Sequence, residues 1–174
     1  MLERTLVILK PQAIKRGLVG LIIGRLEKVG EMIECRLITA TRMQLDRHFP
    51  NSSEWLCSVG KKALQTCRDF RENPLEVYGS EELFRVGIFL REKGIDIYLA
   101  GKIIVMILEG EDIIRKVRCM IGNTLPYRAD QGTIRRDFCE DPLDRKYARG
   151  AFDNLIHASG DREEADNEIN VWFP

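Results

Sequence analysis

The hydrophobic pattern of the chain switches between apolar runs, period-two alternation and helical spacing, and each switch marks an element. Residues 5–9 are a compact apolar run closed by Lys10-Pro11, which predicts a buried strand that ends in a loop. Past a turn at Gly17, Val19, Ile22, Ile23, Leu26 and Val29 recur at helical spacing until Gly30 offers a stop. Residues 32–43 alternate, with Ile33, Cys35, Leu37 and Thr39 on one face and Glu34, Arg36 and Ile38 on the other, predicting a second strand. A helical start at 45–49 is broken by Pro50, and Asn51-Ser52-Ser53 can cap a new helix. Over 54–70, Trp55, Val59, Ala63 and Cys67 fall four apart with Lys61, Lys62 and Arg68 outside, the spacing of an amphipathic helix. A turn at 74–80 leads into a helix over 81–93 that Gly94 is expected to end. Residues 103–108 are the most strand-like run, 112–121 return to helical spacing, and 122–153 read as long loop with at most short helices. A last short strand at 154–157 precedes an acidic helix from 161 to about 169.

This order of strands and helices predicts an α/β fold, an α+β sandwich of the ferredoxin-like kind, with an antiparallel sheet core, helices on one face and an inserted helical segment. At 174 residues the chain is the size of one domain and long enough to bury a core without metal or disulfide support. Lys plus Arg equals Asp plus Glu at 27 each, so no global field draws it to nucleic acid or to an anionic membrane, and any phosphate site must be local. The odd number of cysteines, without metal-type spacing, predicts free thiols in a reducing compartment. The first apolar stretch is too short for a signal peptide or a membrane span, so a cytoplasmic location is expected.

Neither G-x-x-x-x-G-K-[ST] nor G-x-G-x-x-G after the first strand is present, so a nucleotide site here must be built without a glycine-rich loop. Basic residues stand at element ends instead: Lys10 after the first strand, Arg118 in the helix after the third, Arg135 in the long loop. Taken singly each reads as a solvated surface charge. His157, closing a short apolar strand beside Ala158 and Ser159, reads on its own as a hydrogen-bonded structural histidine.

Three strings change that weighting. ERTLVILKPQAIKRGLVGLIIGRLEKVG resembles the opening of nucleoside diphosphate kinases, with a strand, K-P-D-[AG] and R-G-L-[VI]-G before a helix. KVRCMIGNTLPYRADQGTIRRDFC is similar to the family's G-R-x-M-x-G-x-T-[ND]-P followed by P-G-T-[IL]-R-G-D-[FY]. NLIHASGDREEADNEINVWF resembles its active-site segment N-x-[IV]-H-[GA]-S and the helix that ends in E-[IL]-x-x-[WF]-F. The blocks occur in order and cover about half of the chain.

The resemblance implies phosphate transfer from a nucleoside triphosphate to a nucleoside diphosphate, with His157 as the phosphate-accepting nucleophile, Glu168 orienting its ring and Ser159 beside it. It implies that Lys10, Arg118, Thr124 and Arg135 hold the phosphate chain and that Asn154 bonds the sugar. No metal site in the protein is implied, because a magnesium ion arrives on the nucleotide phosphates. A homo-oligomer, hexamer or tetramer, is implied as well.

The chain departs from the family pattern at several places. Gln12 replaces the carboxylate of K-P-D, Phe49 stands where the family has a tyrosine near the phosphates, Val117 precedes Arg118, and Arg136-Asp137 replaces G-D. A helical insertion spans about 50–88 within a single domain over 1–174, and a smaller extension lies around 141–149. The base-stacking aromatic should come from the longer insertion, and Phe89 or Leu90 falls nearest by spacing. The competing expectation is a catalytically weak nucleotide-binding or interaction protein on the same framework, and the two separate on turnover.

Overall fold

A computed structural model describes residues 2–141, 143, 144, 146 and 154–174. Strands β1 (Leu2–Leu9), β2 (Glu31–Thr39), β3 (Lys102–Glu111) and β4 (Ile156–Ala158) form one antiparallel sheet in the order β2-β3-β1-β4. The predicted α+β class with an antiparallel core is borne out. Helices among the described residues are α1 (Pro11–Lys15), α2 (Val19–Leu26), α3 (Arg42–His48), α4 (Ser53–Phe70), α5 (Pro74–Tyr78), α6 (Leu83–Leu99), α7 (Ile113–Ile121), α8 (Ile134–Asp137) and α9 (Arg162–Trp172).

The expectation of helices on one face needs correction, because both faces of the sheet are covered. Val7 and Leu9 pack with Ile22, Leu26, Val117 and Ile121 of α2 and α7. Leu6 and Ile8, whose side chains alternate to the other side, pack with Leu45 of α3, Ile95 and Tyr98 of α6, and Trp172 of α9. Burial on both sides is why β1 reads as a continuous apolar run rather than an alternating one. Its place in the middle of the sheet brings Ile8 opposite His157 in the β1–β4 ladder.

The edge strand β2 behaves differently. A bulge at Ile33 separates the pairs Met32↔Leu108 and Glu34↔Ile107 and reverses the inward phase, so Met32 packs with the α2/α7 side and Ile38 with the other. Ile33 and Leu37, on the face that looked apolar by alternation, are exposed at 38% and 57%.

Helices α4 and α6 lie antiparallel and close. A Cβ added at Gly60 would collide with the Leu83 backbone, and one at Gly87 with the Leu56 backbone, so the two glycines set the spacing of the pair. Ser52 caps α4 by accepting from Trp55 N at 3.3 Å. The far end is tied down where Tyr127 Oη donates to Asp69 at 2.7 Å, Arg128 pairs with the same carboxylate, and Phe70 meets the Tyr127 ring edge-on at 5.0 Å.

Two local expectations are revised. The turn at 74–80 contains the short helix α5, capped by Asn73 Oδ1 on Leu75 N at 3.0 Å. Gly94 does not end α6, which continues to Leu99 because Ile95 and Tyr98 are core residues of the second face. The extension around 141–149 lies mostly outside the described residues. None of the five cysteines is disulfide-bonded, and no helix among the described residues is long and apolar enough to cross a membrane.

Candidate active site

The floor of the site is built where β1 ends beside β4. Lys10, the first residue after β1, is 6% exposed; its backbone N donates to Leu155 O at 2.9 Å and its Nζ to Asn154 Oδ1 at 2.5 Å. Asn154 Nδ2 in turn donates to Thr124 O at 3.0 Å, so the loop after α7, the end of β1 and the start of β4 are stitched by one amide. Leu155 adopts φ +64°, and Ile156 N donates back to Asn154 O at 2.7 Å, closing a tight turn directly before the histidine strand. A left-handed branched residue costs about 1–3 kcal/mol and persists because this hydrogen-bonded frame holds it.

Arg135 is 4% exposed and is held as a buried cation by two carbonyls: Nη1 donates to Gly122 O at 2.9 Å and Nη2 to Ile156 O at 2.8 Å. Its Nε is buried without a partner among the described residues, a donor left over for an anion. Burial and the like charge of Arg118 bring its pKa down to about 9, which leaves it charged near neutrality. Arg118 reaches in from α7, where its Nη1 donates to Ala158 O at 3.4 Å.

His157 projects from β4 into this cationic ring. Its Nε2 lies 2.8 Å from Glu168 Oε1 and 3.0 Å from Oε2, while Ser159 Oγ donates to Oε2 at 2.6 Å. Ser159 is itself fixed to β1 through its N–H to Leu6 O at 3.2 Å, so the carboxylate is oriented from the sheet. The His157 side chain is 22% exposed and Glu168 only 5%, which puts the imidazole at the cleft surface and its partner beneath it. With Nε2 on Glu168, Nδ1 is the nitrogen left to meet a ligand. Burial depresses the His157 pKa far below the ordinary imidazole value, Glu164 opposes that, and Lys10, Arg135 and Arg118 add to it; the ring is neutral at neutral pH. Burial also raises Glu168 above its ordinary range, against His48 and the Ser159 hydrogen bond.

Beneath Glu168 stands His48, the last residue of α3. Trp172 Nε1 donates to its Nδ1 at 3.3 Å, and Glu168 Oε1 also lies 3.3 Å from that atom. Indole N–H can only donate, so Nδ1 is an acceptor, and the approach of Glu168 is not an ion pair. Desolvation, then the charge of His157, pull the His48 pKa down to about 3, in keeping with a neutral ring. The two imidazoles meet edge-on at 4.7 Å.

Over this floor opens a cleft of about 900 Å³ whose opposite wall is a face of α4, including Trp55, Val59, Lys62 and Thr66. Lys10, Phe49, Arg118, Thr124, Arg135, Asn154, His157 and Glu168, all singled out from sequence, line the cleft, and Ser159 sits buried behind Glu168. Phe89 does not line it. Its ring turns to Tyr78, 5.5 Å away, under Lys93, whereas Leu90, one position on and about 100° around the helix, faces the cleft with Gly94 and Tyr98. Sequence reasoning missed His48 and Tyr98. Tyr98 lies at helical spacing with apolar core residues, and His48 follows Asp46 and Arg47 at the end of a short helix, so neither carries a local signal for the site.

The donors of the site do not make a magnesium cage. His48, His157 and Glu168 stand close enough to share a cation, but two imidazoles and one carboxylate are not the oxygen set that magnesium takes. The cations and amides of the cleft floor, Lys10, Arg118, Arg135 and Asn154, suit phosphate oxygens rather than a metal ion.

Buried Lys10 and Arg135, the latter with an Nε–H left over, converge with Arg118 on a neutral imidazole in a strand of an antiparallel α+β sheet, an arrangement suited to an enzyme that handles phosphate groups. Comparison with known sequences places it further: a family model described as nucleoside diphosphate kinase matches residues 3–56 and 89–174. The chain belongs to the nucleoside diphosphate kinase family. It is 38% identical over 98% of its length to a nucleoside diphosphate kinase of Pyrobaculum aerophilum, covering 94% of that relative. It is 35% identical over 99% of its length to one of Methanocaldococcus jannaschii, again covering 94%. Among solved structures, an NDP kinase from Pyrobaculum aerophilum superposes with a TM-score of 0.91 at 36% identity, with 100% of this chain and 97% of that one covered. A transition state mimic of the Borrelia burgdorferi enzyme, with bound vanadate and ADP, superposes with a TM-score of 0.71 at 26% identity, covering 99% and 88%.

Proposed function

We propose that the chain transfers the terminal phosphate of a nucleoside triphosphate to a nucleoside diphosphate in two half-reactions, with His157 carrying the phosphate between them. The observation that carries this reading is the fixed pair His157–Glu168, with Nε2 2.8 Å from the carboxylate and the ring otherwise facing a cleft of cations. Nδ1 of neutral His157 attacks the terminal phosphorus in line with the departing oxygen. The Nε2 proton remains on the ring and is shared with Glu168, which offsets the positive charge that the imidazole gains. Lys10, Arg118 and Arg135 neutralise the charge spread over the phosphoryl oxygens, each charge-assisted hydrogen bond contributing about 1.5–3 kcal/mol. Asn154, oriented by Lys10 and Thr124, takes the sugar hydroxyl, and Thr124 the inner phosphates. The second half-reaction retraces this path with a different diphosphate. Magnesium carried on the triphosphate would supply further charge neutralisation there, while Lys10, Arg118 and Arg135 hold the phosphate oxygens.

The insertion at about 50–88 adds a wall to a single-domain framework, and the family match that skips 57–88 supports its being an addition. Exposed Leu37 and Ile33 on the β2 edge, with Leu21 at 59% on neighbouring α2, support assembly into a homo-oligomer, hexamer or tetramer. The free thiols fit a cytoplasmic location.

Initial rates with ATP and GDP varied together should give parallel double-reciprocal lines, the signature of a covalent intermediate. Intersecting lines would mean direct transfer in a ternary complex, and binding without turnover would leave a nucleotide-binding protein.

A further inference from the structure

Tyr98 lies on the third turn of the cleft-facing stripe of α6 that begins with Leu90 and passes through Gly94. Its residue exposure is 2%, yet it lines the cleft. The ring is clamped on several sides: Phe49 meets it edge-on at 5.5 Å, His48 lies tilted at 6.0 Å, and the Lys10 ammonium sits 5.5 Å from its centroid. Buried phenols normally find a hydrogen-bond partner. Here none of the described residues accepts from or donates to the Tyr98 hydroxyl, although the charges of Glu168 and Arg135 act on it. Burial raises the phenol above its ordinary range, so it stays protonated and is a donor at any pH at which the enzyme works. Arg135 Nε is a second leftover donor of the same floor. The buried Arg135 donor costs free energy in the empty protein and is recovered when an acceptor arrives, whereas the Tyr98 hydroxyl opens on the cleft and is free to turn to an incoming acceptor.

We infer that Tyr98 is a positioning residue for the transferring phosphate: its ring supports Lys10 from below, and its hydroxyl donates to a phosphoryl oxygen brought in by the nucleotide. This rests on the histidine-relay reading of the site. It also gives Phe49 a place, because the phenyl ring that carries no hydroxyl packs edge-on against the neighbouring ring that does. A phenol in this position contributes a short, uncharged donor beside the buried cations Lys10 and Arg135. Its direction is fixed by packing and not by a salt bridge, which is what orienting a tetrahedral oxygen in a loose transition state requires.

Tyr98→Phe tests the hydroxyl while keeping the ring. The rate of His157 phosphorylation by magnesium–ATP in a single turnover should fall about 10- to 100-fold, the worth of one hydrogen bond to a charged oxygen, with a smaller change in KM. Thermal stability of the nucleotide-free protein should be unchanged or higher, since the hydroxyl has nothing to lose there. A Tyr98→Phe protein that phosphorylates at the wild-type rate overturns the inference. So does one that melts markedly lower or fails to fold, because the hydroxyl would then serve a partner inside the protein. Wild-type protein measured alongside separates the two questions: if it forms no phosphohistidine the relay itself is wrong, and if it does, only the role of Tyr98 is at stake.

Discussion

The floor and the wall of the cleft are built on opposite plans. On the floor, Lys10, Asn154, Arg135, Ser159 and Glu168 are each at most 6% exposed and are tied to backbone or to one another at 2.5–3.2 Å. On the wall, Lys61 and Lys62 of α4 are exposed, and the contact that pins the helix end, Asp69 with Arg128, has side chains 25% and 43% exposed. Charges held rigidly under low solvent exposure can select a geometry, whereas solvated lysines on a helix can only attract. On the proposed mechanism the transfer chemistry therefore belongs to the floor, and the wall is expected to tune how readily nucleotide arrives and leaves.

Changes to the floor should cost both turnover and fold. Arg135→Gln removes a cation from the transition state and strips donors from Gly122 O and Ile156 O. Loss of kcat/KM should be about 10- to 150-fold and loss of stability about 2–4 kcal/mol, read from steady-state rates and urea unfolding. A stable but slow variant would detach the two roles and break the contrast.

His48 sharpens it through pH. Its pKa is about 3 in the folded protein against about 6.5 when unfolded, so the unfolded chain binds the extra proton between those values. Stability from this group is fully present above about pH 6.5 and is lost by up to about 1.4 kcal/mol per pH unit as pH falls towards 3. Unfolding followed from about pH 7 down to about pH 5 should show a slope in wild type to which His48 and the likewise depressed His157 both contribute, and a shallower one in His48→Leu, where the His48 share is gone. Equal slopes would place the neutral histidine elsewhere than beneath Glu168.

The wall should respond mildly. Lys62→Ala should raise nucleotide KM by no more than about threefold with kcat unchanged, and leave stability within about 0.5 kcal/mol. A large fall in kcat would promote α4 to part of the catalytic frame. Smallest of all is Phe49→Tyr, which restores a hydroxyl beside one that Tyr98 already supplies; any gain in affinity should stay below about tenfold. A larger gain would mean that the two rings do not serve one position.

The same division explains what was legible in the sequence. Floor residues fall inside contiguous strings whose order follows the strands, so His157, Lys10, Arg118, Arg135 and Asn154 could be placed from those strings alone, and all of them meet in the cleft. Strand and helix positions were also readable wherever apolar period and cap agreed, as at Ser52 and α4. Reading failed where tertiary packing overruled a local signal. Gly94 looks like a stop, but Ile95 and Tyr98 bury against the sheet and carry α6 onward. The bulge at Ile33 turns an apparent apolar face outward. Phe89 and Leu90 differ by one step of helix rotation, which spacing across an insertion cannot resolve.

If His157 carries the phosphate, the adduct can be caught by withholding the acceptor. Protein mixed with ATP and magnesium alone, measured by intact-mass spectrometry at neutral pH, should gain the mass of a single phosphoryl group on nitrogen, labile in acid and stable in base. Added GDP should discharge it, and His157→Gln should never acquire it while still binding nucleotide through Lys10, Arg118, Arg135 and Asn154. Wild-type protein that binds ATP and stays unmodified would contradict the account outright. An adduct that survives His157→Gln would contradict the nucleophile.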